Sequence, residues 1–239
     1  MTSPIRTFVG GLEMYRYAAI SLAGKFFYLT LLVAPLWVLG LFALEYTGIV
    51  DGFNGGHAQV TLIGIPLFFI GVFLGLRIIA SEISGRSLEI VYTVPGGCER
   101  VWWVKLVAAV LILLPVEILL GVGVWFFVTK YPLLALQGAL QGALFAMVLA
   151  MGMSALFRSE IGGAVATALV LAFFAFTSGF GSVQTRFSPF YNPFTLFDAD
   201  PETLLAHTMQ NRIGYFLLTL AILGLAFMRS NRREKLLSG

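Results

Sequence analysis

Three groups of polar residues interrupt an otherwise apolar chain, and each is of a type that can do chemistry. The first lies in SEISGRSLEIVYTVPGGCERVWWVK, residues 81–105. On a helix at ~100° per residue, Glu82, Arg86 and Glu89 share one narrow face, and Ile83, Ile90, Val91 and Val94 lie opposite. Arg86 follows Glu82 by four and precedes Glu89 by three, so it can pair with either carboxylate. That face can recognise a partner surface. The second group is Glu117 in LLPVEILLG, with Pro115 two residues earlier freeing a backbone carbonyl. An ionisable group in an apolar run is costly and marks a functional position by default. The third is Gln137 and Gln141, one turn apart. Counted from the loop at 129–132, Glu117 and Gln141 lie at depths of ~16 Å and ~12 Å at a rise of 1.5 Å per residue. Contact between them, direct or through water, is therefore expected. Glu117 then either holds two helices together as the protonated acid, or lines a pathway or a subunit interface.

Other chemistries have no residues to carry them. Cys98 is the only cysteine, so no disulfide, cysteine metal site or redox pair can form within the chain. Both histidines, His57 and His207, fall outside the apolar segments, so no serine within them has an activating base. No catalytic residue, metal site or cofactor is assigned. No phosphate-binding G-x-x-x-x-G-K-[ST] occurs.

The elements that position these residues are membrane spans. Of 239 residues, 59% are apolar and 11% are charged, with mean hydropathy +0.91; a soluble domain carries about 25% charged residues. The 22 Phe and 26 Gly suit packed membrane helices. A span needs about 20 apolar residues, and segments 26–44, 60–80, 106–128, 133–157, 161–180 and 213–228 qualify or nearly do. The sixth is short and the fourth long, so tilt or local thinning is expected. With the N-terminus cytoplasmic, the inner side holds Arg6, Arg16, Lys25, Arg77, Arg86, Arg100, Lys105, Arg158, Arg229, Arg232, Arg233 and Lys235. The outer side holds only Lys130, Arg186 and Arg212. This bias of 12 against 3 places both termini in the cytoplasm, and an inner (plasma) membrane is the expected location.

The expected fold class is therefore an all-α membrane protein with six transmembrane helices, forming a single domain over residues 1–239. Residues 1–25 carry charges early and lack an apolar core before a cleavage site, so no cleavable signal is expected. Ile5, Phe8, Val9, Leu12, Tyr15, Ala19, Leu22 and Phe26 recur at helical spacing, which predicts an amphipathic interfacial helix. The alternative is a helical extension of the first span. Spans one and two occupy 26–80, the cytoplasmic break 81–105, spans three to five 106–182, the outer segment 183–211, and span six with a basic tail 212–239. The outer segment contains SPFYNPFTLF, whose aromatics and prolines predict short helices that re-enter or rest on the outer leaflet. Short loops make spans three and four, and four and five, antiparallel neighbours. Gly138, Gly142, Ala146, Ala150 and Ser154 recur every four residues, a ridge that lets another backbone approach closely. Gly71 and Gly75 offer a shorter version. Packing within one chain and dimerisation are both open uses of it. The basic tail Arg229, Arg232, Arg233 and Lys235 can anchor the last span to anionic lipid.

Within the break, Gly85 permits a turn into a separate short helix, and Pro95 with Gly96 and Gly97 ends it. Trp102 and Trp103 sit where an interfacial anchor belongs. The alternative for this piece is a solvated helical linker. These residues resemble the permease subunits of type-2 ABC transporters, which have six spans and cytoplasmic termini. Between spans two and three that family carries a pattern like E-x-x-x-G-[ST]-L-E, then a Pro and a Lys. Here Glu82, Arg86, Ser87, Leu88 and Glu89, then Pro95 and Lys105, match it, with Arg86 intervening between Gly85 and Ser87. The resemblance implies that residues 84–97 hold a coupling helix whose 87–94 stretch docks in a groove of an ATPase subunit. It further implies a cytoplasmic ABC ATPase holding ATP and Mg, and a second permease subunit, the same or homologous. The expected activity is ATP-driven export with no enzymatic step on this chain. An extracytoplasmic partner is left open, and no nucleic acid is expected.

Two rivals remain on the sequence. Glu82 and Arg86 spell E-x-x-x-R, part of a membrane-protease signature, but those enzymes need histidines among their spans. A stand-alone channel or secondary carrier needs no ATPase, but such carriers commonly show internal repeats and several midplane charges. Only Glu117 is ionisable at depth here.

Overall fold

The computed structural model describes residues 4–50, 52–84, 97–179, 186–196 and 200–230. All regular structure among them is helical: α1 (Pro4–Ala23), α2 (Val33–Tyr46), α3 (Gly64–Ser84), α4 (Gly97–Phe127), α5 (Leu134–Phe157), α6 (Glu160–Gly179) and α7 (Pro201–Ser230). Among the described residues, six helical stretches are long and apolar enough to cross a membrane. Large apolar side chains such as Leu36, Phe69, Phe126, Leu169 and Phe216 stand exposed on them. Such a surface is compatible with lipid as its solvent, because it is far larger than a soluble monomer exposes.

The first span is assembled from two pieces. Gly24, at φ +83°, ends α1 in the left-handed conformation that glycine adopts without strain. A 3-10 stretch, Phe27–Leu32, then leads into α2. Thus α1 is a helix of its own and no extension of α2. Its residues Ala18, Ala19 and Leu22 are buried, and it packs on α4 and α3. Arg77 of α3 donates to the Leu22 carbonyl at 2.6 Å, satisfying an acceptor that the end of α1 leaves open.

α3 and α5 form the centre of the bundle. On the α3 side the contact is built from glycines that let the α5 backbone approach closely. A Cβ at Gly71 or Gly75 would collide with the backbone carbonyls of Ala143 and Met147. α5 also packs α6 and α7, and a Cβ at Gly163 would meet the backbone of Ser154. Ala146, Ala150 and Ser154 are fully buried. α4 packs against α1, α2 and α3 but touches α5 only lightly, although a short loop joins them. Chain adjacency therefore does not make α4 and α5 the close pair: α3 takes the place beside α5.

Two expected boundaries move. α4 begins at Gly97, so 98–105 belong to the helix of the third span. α7 begins at Pro201, so the sixth span is the end of a 30-residue helix, and 201–211 are not part of an outer-face loop. The expected docking stretch 87–94, the start of the outer segment at 183–185 and the tail residues Arg232, Arg233 and Lys235 lie outside the described residues.

Candidate functional site

At the end where α1 finishes and α7 stops, α3 and α4 are fastened together. Lys105, 3% exposed, forms an ion pair with Glu82 and donates to Ser81 Oγ at 3.1 Å. Ser81 in turn donates to the Arg77 carbonyl. Both charges sit in a largely enclosed place, where a pair holds only if well met by hydrogen bonds. Glu82, expected on a docking face beside Arg86, bonds into the bundle through Lys105, which is helical and buried opposite it. Trp102, expected as an interfacial anchor, is fully buried and stacks on Phe227 of α7 at 6.2 Å between centroids. Trp103 meets the same ring edge-on at 5.3 Å and stays half-exposed. Arg229 reaches the Leu156 carbonyl at the end of α5 at 3.4 Å. Arg86, Ser87, Leu88, Glu89, Val94 and Pro95 lie outside the described residues.

At the other end a polar network joins four elements. It starts at a π-helical turn, Ala58–Leu62, that precedes α3. Such turns are rare and gather at functional places. Here the wider turn brings Gln59 to face inward, 3% exposed. Gln59 Nε2 donates to the Tyr191 carbonyl at 2.8 Å, and its Oε1 accepts from Arg212 Nη2 at 2.9 Å. Arg212 Nη1 reaches Gln141 Oε1 at 3.3 Å, and Gln141 Nε2 returns to the Arg212 carbonyl at 2.6 Å. Gly138 makes the crossing possible. A Cβ there would overlap both the Arg212 guanidinium and the Gln59 amide. Gly138 thus seats a side-chain bridge, whereas the expected ridge is one that receives a backbone. Gly142 is looser: its nearest neighbour for a Cβ is the Pro189 carbonyl at 3.8 Å.

The segment 186–196 is bound onto this network. Asn211 donates to the carbonyls of Arg186 at 2.8 Å and Ser188 at 2.9 Å, and Tyr215 to that of Phe187 at 3.0 Å. Asn192 donates to the Gly56 carbonyl at 2.6 Å. Tyr191 is 2% exposed, and its hydroxyl has no hydrogen-bond partner among the described residues. Beneath this cover lies an apolar cavity of about 420 Å³ between α3, α5 and α6, lined by residues including Phe68, Val72, Ala168, Leu171 and Phe190.

The expected Glu117–Gln141 contact is not made. Gln141 spends its amide on Arg212, and α4 stands away from that face of α5. Glu117 is 7% exposed and lies close enough to Tyr131 to act on it electrostatically. Burial raises the Tyr131 hydroxyl above its ordinary pKa, and the Glu117 charge adds to that. Gln137 is exposed on α5 and makes no hydrogen bond among the described residues.

The sequence does not single out Gln59, Tyr191 and Arg212 as site residues. The available signal is Arg212 at the boundary of the apolar run 213–228, which charge counting uses only for orientation. No cluster of three or more metal-ligating side chains occurs among the described residues. Comparison with protein-family models, with curated proteins and with solved structures finds no match.

Proposed function

We propose that the chain is the membrane-spanning subunit of an ATP-driven exporter of the type-2 ABC kind. Two such subunits bound the pathway, and a separate cytoplasmic ATPase holds ATP and Mg. The observation that carries the reading is the clamp around residues 85–96. α3 ends at Ser84, α4 begins at Gly97, and the Glu82–Lys105 pair ties the two helices just inside those ends. The segment between them carries G-R-S-L-E and Pro95. A partner docked there would push on α3 and α4 together, and α3 is packed along α5. The basic-residue bias of 12 against 3 supports a cytoplasmic location for this end. The helix α1, held by Arg77, agrees with an interfacial element at the same end. No phosphate loop is present in the chain, so hydrolysis on a second protein fits the sequence.

Affinity purification of the tagged full chain from membranes tests this. A soluble ATPase with a phosphate loop should co-purify, and Glu89→Arg should release it while leaving the helical signal unchanged. A chain that transports in reconstituted vesicles with no ATPase present is a channel or carrier, and the proposal fails.

A further inference from the structure

Among the described residues Arg212 is a cation without a counter-charge. Its guanidinium meets two neutral amide oxygens, those of Gln59 and Gln141, and none of the described carboxylates lies within ion-pair distance. Amide dipoles solvate a charge but do not cancel it, and an uncompensated cation in a membrane span is costly. The residue also sits at a boundary. Apolar sequence follows it directly from Ile213 to Met228, whereas Gln210 and Asn211 precede it. That is the level where headgroups meet acyl chains.

Beside it, a recess of about 360 Å³ opens between α5 and α7. Its polar wall is Arg212, Gln141 and Gln137; its apolar wall includes Leu140, Leu144 and Phe216. Gln137 has unused donors in an exposed position. The polar groups lie together at one end, and the apolar ones continue along α5 and α7 away from it. We propose that this recess holds an anionic phospholipid, its phosphate on Arg212 with Gln137 and Gln141, its acyl chain along Leu144 and Phe216. Guanidinium donors and oxyanion acceptors are suited to each other in charge and geometry. The apolar wall favours a lipid over a free anion. A second copy of this chain is a poorer occupant. The same patch on that copy brings another Arg212 and no acid, and like charges facing each other oppose contact. The inference stands apart from ATP-driven export, since it concerns only the resident lipid of the fold.

The full chain is exchanged into vesicles of equal parts phosphatidylglycerol and phosphatidylcholine, re-extracted, and its retained lipid is measured by native mass spectrometry. Phosphatidylglycerol should be enriched on the wild type. Arg212→Gln should cut the enrichment about tenfold, the loss of one charge-assisted contact. Gln137→Leu removes an exposed, unbonded side chain, so the fold should stay intact while the enrichment falls about threefold. Excess inorganic phosphate should displace nothing. The proposal is overturned by equal retention of both lipids on the wild type, or by Gln137→Leu with unchanged enrichment. It is equally overturned by displacement with inorganic phosphate, which marks a free-anion site, or by an acidic protein bound in place of lipid. Where Arg212→Gln fails to fold, the Gln137→Leu result decides.

Discussion

Lys105 and Glu82 form an ion pair between the start of α4 and the end of α3, with only 4% and 14% of their side-chain surfaces exposed. The pair closes the chain around residues 85–96 and fixes the distance between two helices. Removing one partner breaks an enclosed pair, which costs about 3–5 kcal/mol in buried pairs. Lys105→Met is therefore expected to lower the thermal midpoint in detergent sharply. The double variant Lys105→Met, Glu82→Leu removes both charges and should recover most of the loss. A thermal-melt series over the two single variants and the double checks this. If Lys105→Met melts like the wild type, the pair contributes nothing.

Gly138 has a different duty from its neighbours on α5. A Cβ there overlaps the Arg212 guanidinium and the Gln59 amide, which are bonded to each other across it. Gly138→Ala should destabilise by about 1–3 kcal/mol, the usual cost of over-packing. It should also separate Gln59 from Arg212. Hydrogen exchange at 186–196 reports that separation, because Gln59 holds the Tyr191 carbonyl. Exchange rates unchanged in the variant would show that Gly138 is not the seat of the bridge.

The bundle itself is legible in the sequence because lipid-facing helices need only length and apolar composition, and the six segments recover that. Their ends are less legible. Hydropathy cannot tell a polar helical extension from a loop, so 201–211 reads as outer segment although it is continuous with α7. The Gln59–Arg212 bond spans 153 residues of sequence and follows no periodicity. Helical spacing pairs Glu82 with its neighbour Arg86. The ion pair that Glu82 makes with Lys105 reaches 23 positions along the chain and becomes visible only once α4 is known to start at Gly97. The expected Glu117–Gln141 contact assumes that a short loop brings its two helices together along their length. α3 occupies that place beside α5.

The small residues of α3 and α5 predict a contrast. A methyl group on Gly75 would run into the Met147 backbone, which cannot give way as a side-chain tip can. A methyl on Gly142 finds its nearest neighbour at 3.8 Å, an ordinary contact. Gly75→Ala should cost about 1–3 kcal/mol. Gly142→Ala should be neutral or gain up to about 1 kcal/mol from helix propensity. Paired unfolding titrations in mixed micelles measure the difference. A Gly142→Ala loss as large as that of Gly75→Ala would mean that a further surface, such as a second subunit, packs on Gly142.

Glu117 is buried at depth in α4, one turn from Gly121, where the Tyr131 hydroxyl lies against the helix. Gly121 matters because a Cβ there would meet that hydroxyl at 2.8 Å. Tyr131 therefore folds back onto α4 close to the acid, and its charge-sensitive position makes it a reporter on Glu117. Glu117→Gln keeps the shape and removes the charge. If Glu117 only glues helices as a protonated acid, the amide replaces it and nothing changes. If it serves transport by gaining and losing a proton, the amide blocks the cycle while its matching shape keeps the helix packing. On the proposed function, the expectation is a fall of about tenfold or more in export from vesicles reconstituted with the ATPase, with an unchanged melt. Tyr131→Phe in parallel should leave export near the wild-type level, since Tyr131 senses the acid without replacing it. Full export by Glu117→Gln assigns the residue to helix packing alone.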